Sequence, residues 1–178
     1  MKLRHYLATI PDVRRREGKR FDLPNVLLFT LLAVISGADS YRSIVRFMQA
    51  RLTWFQQLAD CHWKTAPSVT GLRKLLLGMD QAAVEKALRA HAQQAAPGAV
   101  LIAIDGKTLR GSVDHLADNA ALQWISAFAM PESVTLGQLE LADGDKGGEI
   151  AVAQQLIASL GLTGKVFTLD AQHCQKNA

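Results

Sequence analysis

Cysteine is scarce in this chain: Cys61 and Cys174 are the only two among 178 residues. Two thiols so far apart in sequence build no disulfide framework, and they fit a reducing cytosol. Neither has a second cysteine at metal-binding spacing, which removes the usual zinc sites. Also missing is an apolar run of the roughly 20 residues needed to cross a bilayer. The strongest run, Val26–Ile35, is far shorter and reads as a buried core helix. Met1-Lys2-Leu3-Arg4-His5 is basic, but no apolar segment follows it directly, so no secretory signal is read there. The expectation is a cytoplasmic protein without a membrane partner.

What is present is the composition of a globular chain, 49% apolar and 20% charged, enough for one compact domain or two small ones. The net charge of +4 is unevenly spread. Residues 1–53 hold ten Lys and Arg against four acids, a net +6, and the remainder holds ten against twelve, a net −2. A basic front half suits an anionic partner, nucleic acid being the commonest, although basic residues also solvate helix faces.

In chain order, Arg14-Arg15-Arg16 and Lys19-Arg20 belong to a basic, loop-like entry. Asp22 and Pro24 then predict a helix start, with Gly37 as its stop. Asp39 or Ser40 caps a second helix expected to run to about Leu58. Ser68 caps a third through Leu77, and Asp80 a fourth from Gln81 to about Ala95. The last pair has the outline of a helix-turn-helix, and equally that of a small helical bundle. Ala95-Ala96-Pro97-Gly98 is the clearest boundary, dividing the chain into domains 1–96 and 97–178.

Beyond it the periodicity changes to that of strands. Val100–Ile104 is an unbroken apolar run ending in Asp105-Gly106-Lys107, Ala121–Ala129 is a second strand, and Val134–Leu141 alternates as a third. A helix follows over Glu149–Leu160, and Lys165–Asp170 is a fourth strand. Asp-Gly often opens a turn, so Asp105 alone is ambiguous. The repetition changes that balance, because two apolar strands each end in an aspartate, Asp105 and Asp170. A helix crossing after an antiparallel meander brings the last strand back parallel to the first. Neighbouring strand-end carboxylates repel unless a cation lies between them, and paired oxygen donors suit Mg²⁺ or Mn²⁺ acting on phosphates.

Ile104-Asp105-Gly106-Lys107-Thr108-Leu109-Arg110-Gly111-Ser112, Ile125-Ser126-Ala127-Phe128, Asp145-Lys146-Gly147-Gly148-Glu149-Ile150 and Thr168-Leu169-Asp170-Ala171-Gln172-His173 follow one another in order. So do Pro11-Asp12-Val13-Arg14, Gly37-Ala38-Asp39-Ser40 and Pro67-Ser68-Val69-Thr70 in the front half. The ordered set resembles the bacterial insertion-sequence transposases of the H-repeat-associated type, and the resemblance spans essentially the whole chain. It implies an α+β or α/β architecture: a helical transposase-associated domain, then part of a ribonuclease-H-like mixed sheet with a crossing helix. By that resemblance Asp105 and Asp170 match the first two acids of a DDE triad and would hold divalent metal for phosphodiester cleavage and strand transfer. Arg14, Arg15, Arg16, Lys107 and Arg110 are the expected contacts to the DNA of the element's ends. Lys146 and Glu149 are assigned to structure or backbone contact, and homo-oligomerisation is compatible with the family.

The resemblance breaks at the third acid, because no glutamate follows Asp170. The expectation is therefore a truncated transposase, binding metal weakly and inactive alone. The alternative is a DNA-binding remnant or regulator that keeps only end recognition through residues 1–96.

Overall fold

Asp22 begins the most apolar helix of the protein as expected. Its carboxylate accepts the Asn25 N–H, Pro24 lies in the first turn, and α2 runs over Leu23–Ile35. The helix ends in a glycine-centred cap: Gly37 adopts φ +93°, its N–H bonds the Val34 carbonyl, and the Ala38 N–H reaches back to Ala33. The computed structural model containing it describes residues 2–59, 61–108, 123–141 and 148–169. By Cα packing the chain divides into two units, Met1–His91 and Ala92–Ala178.

The first unit is helical. A short α1 (Lys2–Leu7) and a 3-10 turn (Arg16–Arg20) precede α2, and the turn lies where a basic loop was expected. The single helix expected from Ser40 to Leu58 is two, α3 (Tyr41–Ala50) and α4 (Leu52–Ala59), with Arg51 leaving helical geometry between them. Neither glycine nor proline marks the break. Its effect is to re-aim Phe55, which is fully buried against Phe29 at a ring-centroid distance of 3.7 Å. Tertiary packing of an aromatic has overridden a locally continuous helical pattern. Ser68 caps α5 (Val69–Leu77), and α6 covers Gln81–Ala95. The core gathers Phe29, Phe55, Leu28, Met48 and Leu72.

The second unit is a four-stranded mixed sheet with one described helix on it. Its strands are β1 (Leu101–Thr108), β2 (Gln123–Met130), β3 (Val134–Leu141) and β4 (Val166–Thr168), in the order β3-β2-β1-β4. The first three form an antiparallel meander. After α7 (Gly148–Leu160), β4 returns parallel to β1, pairing Leu101–Ala103 with Val166–Thr168. Ile102, Ile104, Ile125, Ala127 and Ala129 are buried with Val152, Ala153 and Leu156 of α7. Small alanines on both partners let helix and sheet approach closely.

One strand boundary needs correction. Asp105 does not end β1; it is the fifth residue of a strand that continues through Gly106 and Lys107 to Thr108. The reason is β2, which pairs with all eight residues and sets Asp105 opposite Ser126. Asp and Gly are poor strand formers in isolation, but a long partner on the meander side supplies the ladder. No described helix is long and apolar enough to cross a membrane.

Candidate functional site

Alternation along β1 assigns its side chains to two faces. Ile102 and Ile104 are buried on the α7 side, whereas Asp105 and Lys107 are exposed on the other. Gly106 belongs to the α7 side, and a Cβ there would overlap the Glu149 carboxylate. The glycine therefore makes room for an acid in the first turn of α7, where the helix dipole favours negative charge. This contact puts Glu149 across the sheet from Asp105.

On the Asp105 side, β2 contributes Ser126 opposite the carboxylate and Trp124 opposite Lys107. On the other flank, the described pairing with β4 stops at Ala103, two residues before Asp105. Asp105 thus occupies a central strand beyond the point where its parallel neighbour is described. Asp170, Arg110, Lys146 and His173 lie outside the described residues. Among the described residues no group of three or more His, Cys, Asp or Glu could hold a metal. Of the expected metal pair, the described member is Asp105: an exposed oxygen donor on a well-paired strand, chemically suited to Mg²⁺ or Mn²⁺.

The basic entry is less uniform than its composition suggests. Arg14 donates from Nε and a terminal nitrogen to the two Asp12 oxygens, each at 2.8 Å. Its remaining donors reach the carbonyls of Gly18 at 2.9 Å and Phe21 at 2.8 Å. Arg14 therefore ties the loop to itself, while Arg15 and Arg16 are exposed. The sequence signal for this was available: a carboxylate two residues from the arginine, just after Pro11.

The Arg14 hydrogen bonds hold the Asp12 carboxyl below its ordinary range, against an opposing contribution from burial. A depressed folded-state value stabilises the fold at pH above the unfolded carboxylate value of about 4 and loses that effect as pH falls through the folded value. Asp12→Asn is expected to cost about 1–2 kcal/mol at pH 7. In urea unfolding, the gap between variant and wild type should close as the pH drops below about 4. A gap independent of pH would show that the pair contributes nothing through its charge.

The family described as DDE_Tnp_1-associated matches residues 4–92. Over 174 residues the chain is 33% identical to "Putative transposase YncI" of Escherichia coli O157:H7, covering 97% of this chain and 44% of that protein. To the protein of the same name in Escherichia coli (strain K12) it is 32% identical, with 97% and 69% covered. To "H repeat-associated putative transposase YhhI" of that strain it is 31% identical, with 99% and 46% covered. The chain thus spans between 44% and 69% of the length of these three relatives. No solved structure matches.

Proposed function

This chain belongs to the DDE_Tnp_1-associated family of transposase-related proteins, and we propose that it carries the DNA-engaging front and the first two acids of a DDE transposase. The observation that supports this most is the strand order β3-β2-β1-β4, with a meander followed by a parallel strand reached through α7. That order is the one expected of a ribonuclease-H-like sheet, and Asp105 lies on its central strand. Asp105 is two residues beyond Ala103, and Asp170 is two residues beyond Thr168, in strands whose register pairs Ala103 with Thr168. A ladder continued in that register would set the two aspartates side by side.

In this reading Asp105 and Asp170 hold a divalent cation between like charges that otherwise repel. The chemistry supplied by a cation held there is activation of water or a DNA 3′-hydroxyl and neutralisation of charge on the attacked phosphodiester. Asp105 contributes a fixed direction, because β2 pairs the strand on both sides of it. Lys107, exposed two residues on, contributes charge toward a phosphate from the same face. Arg110 extends that role along the sequence, and Arg15 and Arg16 offer positional contacts from the helical unit. Arg14 supports them indirectly by fixing the loop.

The reading is tested by titrating the protein into a fluorescein-labelled duplex across a range of NaCl concentrations. Duplex binding is expected at low salt, with log affinity falling linearly against log salt. Absence of duplex binding at low salt overturns it.

A further inference from the structure

Resting on that DNA-engaging reading, we propose that a basic cleft in the helical unit holds the phosphate backbone of duplex DNA, with Lys19, Arg20 and Lys64 each contacting a phosphate. The cleft has a volume of about 490 Å³ and is bounded by α1, the end of the 3-10 turn, the start of α2 and the segment His62–Lys64. Arg4, Lys19, Arg20, Lys64 and His62 line it, with Asp22 as its one carboxylate among the described residues.

The floor is built and the rim is exposed. Asn25 at the floor is 1% exposed, and its Oδ1 accepts a 2.7 Å hydrogen bond from Arg4 Nε. Asp22 accepts the Asn25 N–H at 3.2 Å, the Asn25 side-chain amide at 3.3 Å and the Trp63 indole N–H at 3.0 Å. Arg4 also lies 3.7 Å from it. The carboxylate is thus committed to holding α1, α2 and Trp63 in place, and it caps the start of α2. What recognises an anion here is the ring of side-chain cations.

Lys19, Arg20 and Lys64 are exposed, and none of them makes an ion pair with a described residue. Arg20 lies over the Phe21 ring at 5.5 Å, which props its guanidinium up at the cleft edge. Three exposed cations around one hollow repel each other, and bound phosphates remove that repulsion. A second hollow of about 400 Å³ adjoins the first through Arg20 and Phe21 and is lined by Arg14, Lys74 and Ser68. That second hollow is lined largely by apolar groups, among them Val26, Leu72 and Leu75, so the anion site is the first hollow alone. The aromatic lining is Phe21, half-buried, and Trp63, almost wholly buried, so little apolar surface is offered to a lipid tail.

The test compares two triple variants of the full chain by anisotropy with a labelled random-sequence duplex. Lys19→Gln/Arg20→Gln/Lys64→Gln removes the rim of the cleft. Arg42→Gln/Arg46→Gln/Arg51→Gln removes the same charge from the exposed side of α3 and the residue that caps its end. At about 0.9 per phosphate contact, losing two to three contacts lowers the salt slope by about 2–3 and the affinity about 100-fold at 0.1 M salt. The α3 variant should keep its slope within about 1. Circular dichroism confirms that both fold. Equal losses in the two variants, or none in the first, overturn the cleft while leaving DNA binding intact. A wild type that binds no duplex overturns the DNA-engaging reading itself. Binding to phosphatidylserine vesicles that the rim variant alone abolishes, with duplex binding unchanged, assigns the cleft to a membrane surface instead.

Discussion

Phe29→Ala is expected to destabilise the helical unit by about 3–5 kcal/mol, the usual range for emptying a fully buried phenylalanine site. Phe29 is 0% exposed on the helix with the most buried residues in the unit. It stacks on Phe55 at 3.7 Å and meets the edge of Trp63 at 5.2 Å. Trp63 in turn donates to the Asp22 cap, so the ring supports both the α4 docking and the entry to α2. The neighbours are aromatics fixed from several sides, and they cannot collapse into the space left by the ring. Net stability of a small domain is about 5–15 kcal/mol, so the loss is a large share of it. At about 4–8 °C per kcal/mol for a domain of this size, the melting transition should fall by at least about 12 °C. Phe29→Leu retains most of the volume and should cost less than about 1.5 kcal/mol. Thermal melts of both variants, followed by circular dichroism, check this. A drop of only a few degrees for Phe29→Ala would mean that the aromatic cluster is not the centre of the unit.

That cluster also shows which parts of the fold were legible in the sequence. The starts of α2, α3 and α5 were, because Asp22, Ser40 and Ser68 cap through bonds to N–H groups three residues away. The break at Arg51 was not, because its cause is the packing of Phe55 against a ring 26 positions earlier. The end of β1 failed for a similar reason. Asp105-Gly106 is a stop by local propensity, and β2 overrides it across a distance the local pattern does not contain. The parallel return of β4 was legible, since a meander followed by a helix leaves few other routes.

The functional reading divides along the same line. Asp105 was visible as a carboxylate following an apolar run, and the ordered motifs of the family drew attention to it. The basic cleft was not visible, because it joins Arg4, the end of the 3-10 turn and Lys64 from three separate stretches. Read as composition, Arg14 and Lys19 are equivalent charges. In the fold Arg14 is bound by Asp12 and two carbonyls, while Lys19 stands at the rim of the cleft. Local sequence gives the sign of a charged region; only packing separates the cations that hold the loop from those left for a partner.

Asp105→Asn is expected to weaken Mn²⁺ binding at least about 100-fold, because it removes one of two charged ligands and leaves a neutral amide. The proposal makes a second, opposite expectation for the metal-free protein. In that proposal two like charges lie close together and repel, so neutralising one should leave that state as stable as wild type or slightly more so. In Mn²⁺ at about ten times the wild-type dissociation constant, linkage gives wild type about 1.4 kcal/mol and the variant less than about 0.1 kcal/mol. The order of stability therefore inverts on adding metal, and thermal melts with and without Mn²⁺ read it directly. Asp170→Asn should behave alike, and the double variant should show no metal response. An aspartate that merely caps or orders the strand predicts the reverse pattern, with the variant weaker in the absence of metal and its response to Mn²⁺ unchanged. That pattern would remove Asp105 from the metal site while leaving the sheet and its order as they are. Inversion would instead tie the exposed carboxylate on β1 to a cation. Asp105 would then be held in place by β2, the strand that carries it past its apparent end.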